Sequence, residues 1–153
     1  MRKRLTSIVA VALATGLLVS AVLVGPASAY TRRNASLTGA KEVPGPGDPN
    51  GTGRARIRLY PAKGKVCYWL SWNGIRNPVA AHIHKGGPKV AGDVVILLFE
   101  GVVRDQDHKR GCIRGVEKAL IRRIKRNPGR WYVNVHNKPY PDGAIRGQLR
   151  RPA

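Results

Sequence analysis

The stretch Thr52-Gly53-Arg54-Ala55-Arg56-Ile57-Arg58-Leu59-Tyr60 has the most regular pattern in the chain. Apolar side chains alternate along it with arginines, which are Arg54, Arg56 and Arg58. Successive side chains of a β-strand point to opposite faces. The alternation therefore predicts a half-buried antiparallel strand with an arginine-lined outer surface.

A second alternating stretch follows after a short turn segment. Residues 61–64, Pro-Ala-Lys-Gly, favour a reversal of the chain. Over residues 65–72 every second side chain is bulky and apolar, and these are Val66, Tyr68, Leu70 and Trp72. The two stretches together predict a β-hairpin whose apolar sides face the interior.

Other short stretches predict further strands at residues 37–40, 80–84, 94–99, 131–136 and 144–149. The stretch 94–99 is apolar throughout, which predicts a strand buried on both faces. We interpret residues 104–111 as a charged loop and Pro141-Asp142-Gly143 as a turn.

The hydrophobic period changes near residue 116. Apolar residues there recur at helical spacing, and these are Val116, Leu120, Ile121 and Ile124. Asn127-Pro128-Gly129 then ends the helix. One short inserted helix among about seven to eight short strands predicts an all-β fold, a Greek-key-like sandwich or barrel.

The first 29 residues have the pattern of a secretory signal peptide. A basic start is followed by an apolar run, then Pro26 and the small residues Ala27-Ser28-Ala29, which predict cleavage before Tyr30. The alternative is an uncleaved membrane anchor, for which the run is short. We expect a secreted protein with one domain, residues 30–153, and no transmembrane anchor after cleavage.

The chain is extremely basic, with a formal net charge of +20 that becomes +17 without residues 1–29. Such a charge predicts attraction to anionic cell-envelope or extracellular polymers; the alternative is that it serves solubility alone. Two candidate surfaces are the strand set Arg54, Arg56 and Arg58, and the helix set Arg122, Arg123, Lys125 and Arg126. We expect no specific nucleic-acid readout, because most aromatic residues fit core positions and export removes the usual target.

Cys67 and Cys112 are the two cysteines of the chain. An even pair in an exported protein predicts a disulfide. Two free thiols or a thiolate metal site are the alternatives, and neither cysteine has the close second cysteine that such metal sites use.

Three histidines are candidate metal ligands. His82 and His84 lie two apart on a predicted strand and leave the same face, and His136 ends another strand. If these strands are neighbours, the imidazoles could hold Zn or Cu. The alternative is a structural polar network with Asn134, Arg146 and Gln148.

The sequence offers no catalytic residues that we can assign. It contains no Gly-x-Ser-x-Gly nucleophile motif, and its acidic residues are too sparse for a glycosidase pair. The His-x-His strand is similar to one in copper–zinc superoxide dismutases, but that chemistry needs a fourth histidine. His108, in a loop beside Asp105 and Asp107, is a poor candidate for it.

Several phrases of the sequence, taken together and in order, resemble the CHRD domain. They are Leu37-Thr38-Gly39-Ala40-Lys41-Glu42-Val43-Pro44, Ala81-His82-Ile83-His84-Lys85-Gly86, Asn127-Pro128, Trp131-Tyr132-Val133-Asn134-Val135-His136 and Gly143-Ala144-Ile145-Arg146-Gly147-Gln148-Leu149. The placement of Cys67 and Cys112 fits the same pattern. The resemblance implies an extracellular, disulfide-bearing all-β module and no particular reaction.

These observations predict a secreted, non-catalytic binding or structural module of the CHRD type. Its expected partners are anionic envelope or extracellular polymers. The alternative function is a zinc- or copper-binding extracellular protein that uses His82, His84 and His136.

Overall fold

The computed structural model describes residues 30–153 of the chain. The predicted signal peptide, residues 1–29, lies outside these described residues. Within residues 30–153 no helix is long and apolar enough to cross a membrane.

Antiparallel strands form one sheet that curls into a nearly closed barrel. In chain order the strands are β1 (Thr31–Thr38), β2 (Thr52–Tyr60), β3 (Lys65–Asn73), β4 (Pro78–Lys85), β5 (Val94–Glu100), β6 (His108–Ile113), β7 (Trp131–Asn137) and β8 (Tyr140–Gln148). Their order across the sheet is β5-β4-β7-β8-β1-β2-β3-β6. When the two sheet edges are brought together, β7-β4-β5-β6 has the order of a Greek key. The all-β prediction is confirmed.

The hairpin of β2 and β3 follows directly from the alternation in the sequence. Its register places Ala55 opposite Leu70 and Ile57 opposite Tyr68, and all four side chains are buried. Gly64 closes the turn with a φ of 54°, which favours a residue without a Cβ atom. The inward side chains of this hairpin form much of the core.

The helix α1 (Lys118–Arg126) packs onto this core through Ile121 and Ile124, which have no exposed surface. Arg33 of β1 points inward and donates a hydrogen bond to the backbone carbonyl of Lys125 in the last helical turn. Carbonyls at a helix C-terminus lack partners within the helix and attract positive charge. Arg33 therefore joins the helix end to the barrel.

β1 starts earlier than the sequence pattern predicts, and β6 was not predicted as a strand. β1 begins at Thr31, and part of the strand predicted at 37–40 is a 3-10 turn, Gly39–Lys41. β6 begins at His108, inside the segment predicted as a charged loop. Because β6 is an edge strand whose ladder is formed with β3, its charged side chains remain in solvent and leave no apolar alternation.

β5 is not buried on both faces, contrary to the prediction from its apolar sequence. Val94 is 51% exposed and Leu97 is 45% exposed. β5 is the other edge strand of the sheet. Its outward side chains are therefore only partly covered.

The turn between β7 and β8 lies at residues 138–139 rather than at Pro141-Asp142-Gly143, which are part of β8. The side-chain oxygen of Asn137 accepts a hydrogen bond of 2.9 Å from the backbone N–H of Tyr140. Asparagine side chains favour turns through contacts of this kind. This contact explains the earlier turn.

An open seam separates the edge strands β5 and β6, which form no backbone ladder with each other. Side chains meet across it. The ring of Phe99 lies 6.5 Å from that of Tyr68, and the Lys109 ammonium lies 5.3 Å from the Phe99 ring. The barrel is thus completed along this line by side-chain contacts.

Candidate functional site

The outer surface of β4, β7 and β8 is covered by polar and aromatic side chains. Alternate residues of these strands, such as Ile83, Val133 and Ile145, face the core and are fully buried. The residues between them therefore face outward, and these are His82, His84, Tyr132, Asn134, His136, Arg146 and Gln148.

Strand order brings the three candidate histidines together. β4 pairs with β7, so that His82 faces Asn134 and Ala80 faces His136. His82 Nδ1 lies 3.0 Å from His136 Nε2. One ring nitrogen of each of His82, His84 and His136 lies within 4.8 Å of the others. We call these three residues the histidine cluster.

Backbone carbonyls fix the proton on two of the three rings. Nδ1 of His136 lies 2.7 Å from the carbonyl oxygen of Pro141, and Nδ1 of His84 lies 2.7 Å from that of Gly92. A carbonyl only accepts, so each Nδ1 carries a proton, and in a neutral ring Nε2 keeps its lone pair. Hydrogen bonds of this kind are the usual support of metal-binding histidines.

The Nε2 atom of His84 has a partner of its own, the side-chain amide of Asn134, at 2.9 Å. The atom at this distance is Oδ1 of Asn134. Because Gly92 takes the ring proton, a neutral His84 can only accept here, so the amide must turn to present its NH₂ to Nε2. The His84 ring also stacks on Tyr132, with 4.7 Å between ring centres. The His84 ring is therefore fixed at both of its nitrogens and on one face.

Burial lowers the pKa of all three histidines. The pKa of His82 falls to about 4, first because of burial and then because charged His136 and His84 would repel its protonated form. Burial is also the largest cause of the lowered pKa values of His84 and His136. At neutral pH the cluster consists of uncharged imidazoles, the form that binds metal ions.

Arg146 and Gln148 hold the loop at residues 86–92 over this surface. Arg146, which is 1% exposed, donates to the carbonyl oxygens of Gly87 and Val90 at 2.8 and 2.9 Å. Gln148 donates to the carbonyl oxygen of Gly86 at 2.8 Å. Side chains from β8 thus supply three of the hydrogen bonds that hold the loop, beside those that it makes with Arg130, His84 and Tyr132.

Arginines and their neighbours cover the outer side of β1, β2, β3 and β6. Across these strands three rows of facing residues are Arg32-Arg58-Cys67-Cys112, Asn34-Arg56-Trp69-Arg110 and Ser36-Arg54-Ser71-His108. None of these outward side chains is acidic. We call this surface the basic face.

Two open grooves flank β2 on the basic face. One, of about 570 Å³, includes Arg58 and Arg110 in its lining. The other, of about 680 Å³, includes Arg54 and Arg150. Arg56 lines both grooves, and the lining of the larger one also includes Glu42.

The helix cations form a separate group. α1 packs beside the 3-10 turn Pro61–Lys63 and β2. The helix cations are exposed, and they are Arg122, Arg123, Lys125 and Arg126. Arg123 lies 3.6 Å from the carboxylate of Glu117. The structure therefore brings the strand arginines into rows and leaves the helix cations outside those rows.

The family model of the CHRD domain matches residues 33–149 of the chain. The chain belongs to the CHRD domain family. No curated protein and no solved structure matches it. CHRD domains are typically extracellular and are not a known enzyme family.

The predicted disulfide of this CHRD domain is confirmed. Cys67 of β3 is bonded to Cys112 of β6, and the two residues face each other in the ladder. The bond lies on the outer side of the barrel, within the basic face, and Cys112 is exposed. A disulfide is consistent with the extracellular setting of CHRD domains.

The sequence did not single out Glu42. Its pKa is raised to about 7 because of burial, although Arg146 and the backbone N–H of Val43 act in the opposite direction. One of its carboxyl oxygens has no hydrogen-bond partner among the described residues. The chain has only 8 acidic residues, and this rarity is the feature of the sequence that could have drawn attention to Glu42.

Acidification is expected to destabilise this CHRD domain by about 2 kcal/mol, because the histidine cluster takes up protons. This value is smaller than the whole pKa shift of His82 would give, because the His82 ring is partly exposed and solvent screens its charge. The folded-state pKa values lie below the unfolded value of 6.5. The unfolded chain therefore takes up protons first, and stability falls as the pH drops from about 6.5 to about 4. Urea unfolding at a series of pH values measures this loss.

Glu42 changes the stability with pH in the direction opposite to that of the histidine cluster. Variants of Glu42 and His82 therefore separate the two contributions. Its folded-state pKa of about 7 lies above its usual value, and stability is lost as the pH rises through 7. Glu42→Gln should therefore lose more stability than the wild type on acidification, and His82→Gln should lose less. Identical pH slopes for all three proteins would contradict these assignments.

Proposed function

We propose that the protein is an exported, non-catalytic binding module that associates with anionic cell-envelope or extracellular polymers through its basic face. Residues 1–29 direct export, and cleavage before Tyr30 releases the domain. The observation that supports the proposal most is the set of three rows across β1, β2, β3 and β6, which contain arginines and no acidic side chain.

The spacing of the arginines suits a linear polymer. Alternate residues of a strand are separated by about 7 Å, so Arg54, Arg56 and Arg58 form a line with that repeat. The grooves on each side of this line share Arg56. A chain with regularly spaced sulfate, phosphate or carboxylate groups can contact several of these cations at once.

Aromatic rings hold some of the cations in place. The guanidinium of Arg56 lies 4.6 Å from the centre of the Trp69 ring, and the Lys65 ammonium lies 4.2 Å from that of Tyr60. Cation–π contacts of this type contribute about 0.5–1 kcal/mol at exposed sites. They reduce the conformational freedom that these long side chains lose on binding.

Binding to heparin tests the proposal with a matched pair of variants. Arg54→Gln/Arg56→Gln/Arg58→Gln and Arg122→Gln/Arg123→Gln/Arg126→Gln each remove three positive charges. We expect the strand variant to lose about tenfold or more in affinity, and its slope of log affinity against log salt to fall by about 2–3. The helix variant should keep most of the affinity, because those cations supply only general attraction.

Two outcomes would contradict the basic face as the binding surface. Equal losses in the two variants would show that net charge alone attracts the polymer. Wild-type affinity that does not change between about 50 and 200 mM salt would show that binding is not ionic.

Metal binding at the histidine cluster is the second candidate function. It is favoured by the 3.0 Å contact between His82 Nδ1 and His136 Nε2, together with the carbonyl contacts that leave Nε2 of His84 and His136 with lone pairs. His108 is not in the cluster; it lies on β6 and stacks on Trp69. We therefore make no proposal of dismutase activity.

A further inference from the structure

We propose that the histidine cluster binds one zinc or copper ion through His82 Nδ1, His136 Nε2 and His84 Nε2, and that Asn134 competes with the ion for His84. This inference rests on the second candidate function and adds to it the donor atoms, the class of ion and the residue that opposes binding.

Two of the three donor atoms already lie at the required separation. Nitrogen ligands bind zinc at about 2.0–2.1 Å, so two of them in a tetrahedral site lie about 3.3 Å apart. His82 Nδ1 and His136 Nε2 are separated by 3.0 Å. An ion can therefore bind to this pair after small movements of the two rings.

Binding changes the tautomer of His82 and not its charge. Nε2 of His136 carries a lone pair because the Nδ1 proton is donated to Pro141. His82 must then donate its own Nδ1 proton to His136 in the metal-free cluster. On binding, the ion takes the place of this proton, which moves to Nε2 of the same ring, so the ring stays neutral.

The third donor requires a movement of His84 that Asn134 resists. The donor atoms of the cluster lie within 4.8 Å, which exceeds the tetrahedral separation by about 1.5 Å. Nε2 of His84 must leave the Asn134 amide, at 2.9 Å, before it can bind the ion. The Nδ1 contact with Gly92 and the stacking on Tyr132 can persist during a small rotation of the ring.

The donor set selects the class of ion. Three imidazole nitrogens suit zinc and copper, whereas magnesium and calcium prefer oxygen ligands. Asp142 favours a cation beside His136, whereas beside His84 the positive charge of Arg146 opposes a cation more strongly than Asp93 favours it. His82 is the most exposed ring of the three, so a fourth ligand position opens toward solvent on its side.

The first experiment measures binding of Zn²⁺ and Cu²⁺ to the purified, oxidised, tag-free protein in competition with a chelator of known affinity. His82→Ala, His84→Ala and His136→Ala test the donors, and His108→Ala is the matched control, because His108 is exposed and lies outside the cluster. We expect one ion per chain, losses of at least tenfold in each cluster variant, and no change in His108→Ala.

The second experiment tests the competition at Asn134. Asn134→Ala removes the amide that holds Nε2 of His84, so metal affinity should rise severalfold. The electron paramagnetic resonance spectrum of bound Cu²⁺ should show coupling to three nitrogens in the wild type and to two in His84→Ala. Should Asn134→Ala fail to fold, the spectra of the wild type and His84→Ala decide the question.

The outcomes separate the inference from the function on which it rests. If the wild type binds neither ion at micromolar concentration, the metal-binding function and the inference about its donor atoms are both wrong. If it binds an ion through His82 and His136, but the copper spectrum shows two nitrogens and His84→Ala changes nothing, metal binding stands and the role of His84 and Asn134 falls.

Discussion

Reduction of the disulfide between Cys67 and Cys112 is expected to lower the free energy of unfolding by about 4 kcal/mol. The bond spans 45 residues of sequence, and the chain-entropy model assigns about this value to the constraint that such a loop places on the unfolded chain. It also connects the edge strand β6 to β3, beside the seam. β6 has no strand ladder on its other side to replace it.

Thermal unfolding with and without a dithiol reductant measures this effect. Cys112 is exposed, so the reductant reaches the bond in the folded protein. The midpoint should fall by roughly 10–20 °C on reduction. Cys67→Ala/Cys112→Ala should unfold near the lower temperature whether or not reductant is present, and equal midpoints for the oxidised and reduced wild type would contradict the prediction.

Replacement of Arg146 by methionine is expected to destabilise the domain by about 3 kcal/mol. Methionine is an unbranched apolar side chain, so the change mainly removes the charge and the donors. The carbonyl oxygens of Gly87 and Val90 lose their partner, and each unsatisfied group costs about 1–3 kcal/mol. Glu42 also loses the positive charge that favours its ionised form.

Urea unfolding of Arg146→Met and of Arg150→Met provides the comparison. Arg150 is exposed, so its replacement removes the same charge without opening a buried network, and should change stability by no more than about 0.5 kcal/mol. Hydrogen exchange at residues 86–92 should accelerate in Arg146→Met only. Equal stability of the two variants would show that Arg146 does not hold this loop.

Local alternation was enough to predict the hairpin of β2 and β3 and the outward arginines. The inward residues of the hairpin are apolar, and β2 and β3 are neighbours in sequence, so the pattern and the pairing of these two strands agree. α1 could be predicted in the same way from Ile121 and Ile124, which recur at helical spacing and are buried, although Val116 of the same pattern precedes the start of the helix at Lys118. The disulfide could be predicted because only one pairing of two cysteines exists within a chain.

The edge strands could not be predicted in the same way. In β6 the residues from His108 to Arg110 are polar or charged, and their partner strand lies far away in sequence. In β5 an apolar run suggests complete burial, yet the strand borders the seam and exposes Leu97. An edge position is a property of strand order, which local periodicity does not contain.

The histidine cluster was predictable in part. Two residues of separation place His82 and His84 on one face of a strand, whatever the rest of the fold. Their proximity to His136 depends on the pairing of β4 with β7. The contacts of His84 with Asn134 and with the carbonyl of Gly92 depend in addition on the path of a loop, and backbone carbonyls leave no signal in a sequence.

Because of the seam, the barrel can deform elastically as an open ring does, and a closed ring does not. A ring of strands that is hydrogen-bonded all the way round can change its circumference only by breaking a ladder. At the seam only side chains meet, namely Phe99 with Tyr68 and Lys109, so the circumference can change there with every ladder intact. The disulfide fixes the edge strand β6 to β3, so any change in circumference displaces mainly the other edge strand, β5. β5 is hydrogen-bonded to β4, the strand that carries His82 and His84.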